Sequence, residues 1–277
     1  MALEQRLLLR STETGIGLDR LRRRVLVERI VSRLQGAEPG QWVLKGGMAL
    51  EVRLRDDARL TKDIDLGLRD DVVNADELHQ RLVDALAADP DGDGFVLTAG
   101  APASLREDGG GHLTWRLKVA AALAGRPFGG IQLDVSPRAH ELVATERVVL
   151  PNSLDFAGIP APVIEIVDVH RHAAEKLHAM LRDFGERENS RVRDLVDVVI
   201  LIEHDLLAPA TVATATRQVW AERDGIAPPT AFPPLPESWP QRYERLAADH
   251  HLDTQSFPAA AARVGRLWDE MFTTEEA

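Results

Sequence analysis

The chain has 277 residues, 44% of them hydrophobic and 28% charged, with a formal net charge of −11 and no cysteine. That length can bury a sizeable core, in one large domain or two modest ones. The absence of cysteine excludes disulfide scaffolds, thiolate zinc sites and cysteine nucleophiles, and the acidic balance argues against holding nucleic acid by bulk attraction.

Residues 1–10 alternate short apolar runs with Glu4, Arg6 and Arg10, unlike the unbroken apolar stretch of a secretion signal. Nowhere do about 18 uncharged apolar residues run together, so a cytoplasmic protein without a membrane span is expected. Over residues 18–34, Leu21, Val25, Ile30 and Leu34 recur on one side and predict a helix, ended by Gly36 and Pro39-Gly40. It carries Arg20, Arg22, Arg23, Arg24, Arg29 and Arg33, which form either a solvated helix face or a local basic surface for a nucleic acid.

Residues 41–44 read as a short strand, and Lys45-Gly46-Gly47 turns into a helix-forming run over 48–54. Residues 61–68 read as a strand, and Leu78, Leu82, Val83 and Leu86 predict a helix closed by Asp89-Pro90-Asp91-Gly92. Strands are expected over 95–97, 113–122 and 131–135, the last two as a hairpin turning over Gly125 to Gly130. Past Pro151 a proline-bounded segment over 160–166 leads into helices over 168–184 and 190–206. Two or three more follow, interrupted by Pro228-Pro229 and by Pro233-Pro234-Leu235-Pro236. The organisation is α+β: a mixed part over 1–150 with an N-terminal helix, and a helical part over 151–277.

The chemistry concentrates in two stretches, Lys45-Gly46-Gly47-Met48-Ala49-Leu50 and Thr61-Lys62-Asp63-Ile64-Asp65-Leu66. Asp63 and Asp65 are two apart, so in a strand both carboxylates leave one face while Ile64 and Leu66 enter a core. Two neighbouring carboxylates repel unless a cation sits between them, and hard oxygen ligands suit Mg²⁺. Gly46 and Gly47, between a strand and a helix, either form a tight turn or present backbone N–H groups to a phosphate.

Asp134 faces away from Ile131, Leu133 and Val135, with Gln132. It is either a surface residue of an edge strand or a third carboxylate on a shared metal. Three carboxylates can bridge the two ions that nucleotidyl transfer employs.

In the helical part, Lys176 lies at the edge of the stripe formed by Ala173, Leu177 and Met180. It can snorkel to solvent or reach a phosphate as a point charge. Asp194 and Asp197 share a helix face, and Arg191 and Arg193 can pair with acids or with phosphate. Asp194 fits equally a salt-bridge partner, a metal or hydroxyl ligand, or a general base. His170 and His172 fall on different helix faces, and neither His178 nor the His250-His251 pair completes a zinc site.

The ordered motifs at 45–50, 61–66, 131–135, 175–179 and 191–197 resemble the AbiEii/AbiGii toxin family, the MenT-like nucleotidyltransferases of the DNA polymerase β-like superfamily. The resemblance spans residues 40–205. It implies a polymerase β-like core with a mixed sheet, followed by a helical C-terminal part that contributes to the active-site cleft. It further implies transfer of a nucleoside monophosphate from an NTP, with Mg²⁺ or Mn²⁺, to the 3′ acceptor end of a tRNA, by the toxin of a toxin–antitoxin pair. A cognate antitoxin would then be its partner.

By the same resemblance Asp63 and Asp65 are catalytic metal ligands, joined by Asp134. Gly46 and Gly47 form the triphosphate turn, Lys176 contacts phosphate and Asp194 is a later catalytic aspartate. Where many superfamily members have serine, this chain has Gly47, so only its backbone can serve. Two other readings share these residues: the same enzyme acting on a protein or small-molecule hydroxyl, and a catalytically silent nucleotide-binding regulator.

Overall fold

The computed structural model describes residues 2–59, 61–70, 72, 74–105, 113–185 and 188–273. The chain divides into two compact units, Met1–Val52 with Leu60–Val167, and Arg53–Arg59 with Asp168–Ala277.

The first unit runs α1 (Ala2–Thr14), α2 (Leu18–Ala37), β1 (Trp42–Lys45), α3 (Gly46–Leu54), β2 (Asp63–Leu68), α4 (Ala75–Ala87), β3 (Phe95–Ala99), β4 (Ala103–Ser104), β5 (Trp115–Leu123), β6 (Arg126–Pro137), β7 (Thr145–Val149) and β8 (Val163–Val167). Among the described residues these eight strands make one mixed sheet, ordered β3-β5-β6-β2-β1-β8-β7 with β4 on β5. Strands β2 and β6 run parallel, as do β1 and β8, and the other pairs are antiparallel. This mixed sheet followed by helices is the polymerase β-like architecture.

Period-two alternation explains the sheet's two faces. Leu44, Leu66, Val135 and Trp115 lie opposite one another on four adjacent strands and are buried. They join Val25, Ile30 and Leu34 of α2 and Leu78, Leu82 and Leu86 of α4 in a single core. Asn74 caps α4 by accepting from the Glu77 N–H, with Asp76 and Glu77 in its first turn.

The β5–β6 hairpin turns at Ala124-Gly125, both at positive φ (50° and 72°), not across Gly125 to Gly130. That primed two-residue turn suits the twist of the strands it joins, so residues 126–130 continue as strand. Segments 145–149 and 163–167, not anticipated as strands, extend the sheet beyond β1.

Of the arginine run of α2, Arg29 and Arg33 turn fully inward, so the run is not a basic surface throughout. Arg29 and Arg33 are 0% exposed and pair with Asp89, Asp91 and Asp93. Arg33 and Asp93 meet through two hydrogen bonds of 2.7 Å. Arg20 and Arg24 engage the buried Glu51, Arg22 engages Glu4, and Arg23 donates to the Thr61 carbonyl. Buried charge of this kind must be paired, and the Asp89-to-Asp93 loop supplies the partners.

The second unit contains α5 (Val169–Leu181), α6 (Val192–Glu203), α7 (Pro209–Asp224), α8 (Pro240–Asp249) and α9 (Phe257–Thr273). Asp168 caps α5 by accepting from the His170 and Arg171 N–H groups. Trp220, Trp239, Tyr243 and Trp268 fill its interior, and the Trp239 indole donates to the Asn189 carbonyl. Among the described residues no helix is long and apolar enough to cross a membrane.

Glu28 of α2 accepts from both the Ser153 backbone N–H at 2.9 Å and the Ser153 hydroxyl at 2.7 Å. Burial pushes its carboxyl up to about 7 against the lowering pull of those bonds. From about pH 4.5 to 7 the folded chain therefore keeps a proton that the unfolded chain has released. Stability falls as pH rises through that window, by about 3 kcal/mol. Glu28→Gln, which keeps an acceptor for the N–H and loses the charge, should match the parent near pH 4.5 and be more stable at pH 8. Urea unfolding at the two pH values checks this; an equal difference at both would contradict it.

Candidate functional site

One row of side chains crosses four strands of the first unit. Lys45 of β1 lies opposite Asp65 of β2, Asp65 opposite Asp134 of β6, and Asp134 opposite Arg116 of β5. Opposed residues share a face, so two carboxylates stand side by side between two cations. Asp63 and Gln132 form the next row on that face. Asp63, Asp65 and Asp134 thus lie on the face opposite the core, and the parallel pairing of β2 with β6 sets Asp134 beside Asp65.

Two of the three carboxylates have a defined neighbour. Gly46 opens α3 directly after β1 at φ +57°, and a Cβ there would lie 1.9 Å from Asp65 Oδ2. Only a residue without a side chain admits this approach, which sets Asp65 against the first residue of a helix. Gly47 follows, buried, in the first turn. Lys45 Nζ reaches the buried Glu141 at 2.6 Å, and Arg138 holds the other Glu141 oxygen at 3.3 Å.

Asp134 is gripped at both oxygens by Arg116, Nε to Oδ1 at 2.8 Å and Nη2 to Oδ2 at 2.6 Å. This hydrogen bonding raises the Arg116 guanidinium above the usual arginine range, against a smaller desolvation effect; the charges of Asp134, Asp63 and Asp65 add to it. All three carboxylates act on one cation, so the face favours positive charge. Their donors are hard oxygens, the type Mg²⁺ and Mn²⁺ take. Among the described residues no three His, Cys, Asp or Glu side chains are grouped closely enough to hold a metal ion. A metal shared by this trio therefore requires these carboxylates to draw together from their present positions.

The other predicted residues lie in the second unit. Lys176 Nζ is 2.8 Å from Asp194 Oδ1 and 2.7 Å from Asp197 Oδ2. Arg59 grips Asp197 through Nε at 2.6 Å and Nη2 at 3.0 Å. Burial works against the Lys176 charge, yet the two aspartates outweigh it and raise the ammonium above the usual lysine range. Burial likewise opposes the charge on Asp197, and Lys176 and Arg59 outweigh it to hold its carboxyl low. Lys176 is thus a buried ion-pair partner and does not snorkel to solvent. A cavity of about 490 Å³ adjoins this cluster, lined by Arg59, Phe184, Arg191, Arg193 and Asp194 among others.

Arg116 and Arg59 escaped the sequence reading. The alternation Trp115-Arg116-Leu117-Lys118 signals that Arg116 faces away from the core. Its partner depends on a β-bulge at Ala121/Ala122 that shifts the hairpin register by one. Nothing local links Arg59 to a residue 138 positions away.

A family profile described as "Nucleotidyl transferase AbiEii toxin, Type IV TA system" matches residues 29–270. Among solved structures the chain is similar to MenT4, a nucleotidyltransferase toxin from Mycobacterium tuberculosis H37Rv. That match has 19% identity and a TM-score of 0.59, covering 99% of this chain and 90% of the other, and it is a likeness of fold. A protein from H. pylori, provisionally described as a nucleotidyltransferase, is similar at 17% identity and a TM-score of 0.48, over 93% of this chain and 96% of the other. No curated protein sequence matches.

Gly46→Ala forces either Asp65 or the start of α3 to move. It should cost about 1–3 kcal/mol, from the positive φ and the displaced carboxylate together. Gly15→Ala, also at positive φ but with open space around it, carries only the backbone part. Chemical denaturation of the two variants measures the difference, and equal losses would contradict the Asp65 contact.

Proposed function

The chain belongs to the AbiEii nucleotidyl transferase toxin family of type IV toxin–antitoxin systems, and on that premise we propose that it transfers a nucleoside monophosphate from an NTP to the 3′ acceptor end of a tRNA. The observation that carries the reading is the set of Asp63, Asp65 and Asp134 on one sheet face, with Asp65 directly against the opening of α3 at Gly46. In this reaction an acceptor hydroxyl oxygen bonds to the α-phosphorus, the α–β phosphoanhydride bond breaks, and pyrophosphate departs. Asp63, Asp65 and Asp134 would hold Mg²⁺ or Mn²⁺, which when bound polarises the α-phosphate and offsets the charge of the leaving group.

The chain's own groups do the rest. The backbone N–H groups at the start of α3, at Gly46 and Gly47, bind the triphosphate, helped by the positive end of the helix. No serine hydroxyl supplements them, since Gly47 stands at the second turn position. By the family resemblance Lys176 supplies a phosphate contact and Asp194 a catalytic carboxylate, which requires their buried ion pair to open. The protein acts in the cytoplasm, with a cognate antitoxin as its partner.

One observation favours a second acceptor class. The net charge is −11, and most arginines of α2 are spent on internal ion pairs, which leaves little basic surface there for RNA. A protein or small-molecule hydroxyl would need no such surface.

Incubation with labelled NTP, Mg²⁺, total tRNA and a lysate separates these acceptors by which fraction takes the label. Asp65→Asn should reduce incorporation by at least about a hundredfold. Undiminished labelling by that variant would overturn the metal-carboxylate reading. Label confined to protein or small molecules would overturn the tRNA assignment.

A further inference from the structure

Asp134 has two partners in prospect, Arg116 and a divalent cation. In the sheet as it stands both of its oxygens are taken by Arg116, at 2.8 and 2.6 Å, in the planar two-pronged geometry that suits guanidinium and carboxylate. A divalent cation shared with Asp63 and Asp65 needs at least one of those oxygens. The Arg116 side chain is 43% exposed against 11% for Asp134, so water can take over the guanidinium N–H groups when it lets go.

The two arrangements exclude each other, and the sheet explains why. Asp134 is flanked by Asp65 on one side and Arg116 on the other, in a single row on one face. A carboxylate turned toward β5 meets the guanidinium; turned toward β2 it meets the Asp63–Asp65 pair, where a second negative charge is tolerable only with a cation between. The present conformation is the first of these, and no metal-sized trio of carboxylates forms among the described residues.

We propose that Arg116 is a positioning residue that competes with the divalent cation for Asp134, so that cation binding and release of the guanidinium are one event. This rests on the metal-site reading above. Arg116 lowers the affinity of the bare site for metal and holds Asp134 away from Asp65 until an ion arrives.

Mn²⁺ titration of the full chain, followed by electron paramagnetic resonance without nucleotide, tests the proposal. Arg116→Ala should bind Mn²⁺ about three- to tenfold more tightly than the parent, with Arg116→Lys, which keeps the charge and loses the fork, in between. Lys118→Ala removes a cation two residues away on the same face and should change affinity less than Arg116→Ala. Circular dichroism melting confirms that each variant is folded.

Affinity that does not rise in Arg116→Ala, or an equal rise in Lys118→Ala, would overturn the competition while leaving the metal site standing. Failure of the parent to bind Mn²⁺, or binding untouched by Asp65→Asn, would overturn both.

Discussion

Asp65 and Asp134 lie opposite each other on adjacent parallel strands, and that juxtaposition of like charge is the constraint around which the first unit is built. Strands stand about 4.8 Å apart, where two carboxylates at an effective dielectric near 20 repel by roughly 3 kcal/mol. The sheet answers with a cation at each end of the row, Lys45 on β1 and Arg116 on β5. The core side of the same strands carries only apolar residues, so the fold is held from one face while the other keeps an electrostatic problem that a metal ion would solve. Gly46 adds a steric condition, since its missing side chain lets the start of α3 close on Asp65.

Charge is handled by internal pairing elsewhere too. Arg29 and Arg33 are sunk into the first unit against the Asp89-to-Asp93 loop, and Lys176 into the second between Asp194 and Asp197. Such pairs add little net stability compared with apolar packing, but removal of one partner strands a buried charge, so they fix register firmly. A helix rich in arginine can therefore serve the interior of an acidic protein.

The face shared by Asp63 and Asp65 was legible from residue spacing alone, because strand alternation is a local rule and Ile64 and Leu66 declare the core side. Asp134 was legible for the same reason within Ile131 to Val135. The glycine turn followed from its place between a strand and a helix. Arg116 was not legible, because its partner depends on a bulge that moves the register by one residue. Arg59 and its pairing with Asp197 depend on a contact far apart in sequence, and the strands at 145–149 and 163–167 are short segments stabilised by pairing. The inward turn of the arginines was hidden for a related reason: a helical period shows which positions are apolar, while the partners of a charged position sit on another element.

The most direct measurement is a crystal structure of the full chain with Mn²⁺ and a non-hydrolysable NTP, read by anomalous scattering. Manganese should be found bonded to oxygens of Asp63, Asp65 and Asp134, with the Arg116 guanidinium withdrawn from Asp134. Manganese held elsewhere, or Arg116 still gripping Asp134 beside a bound ion, would contradict it.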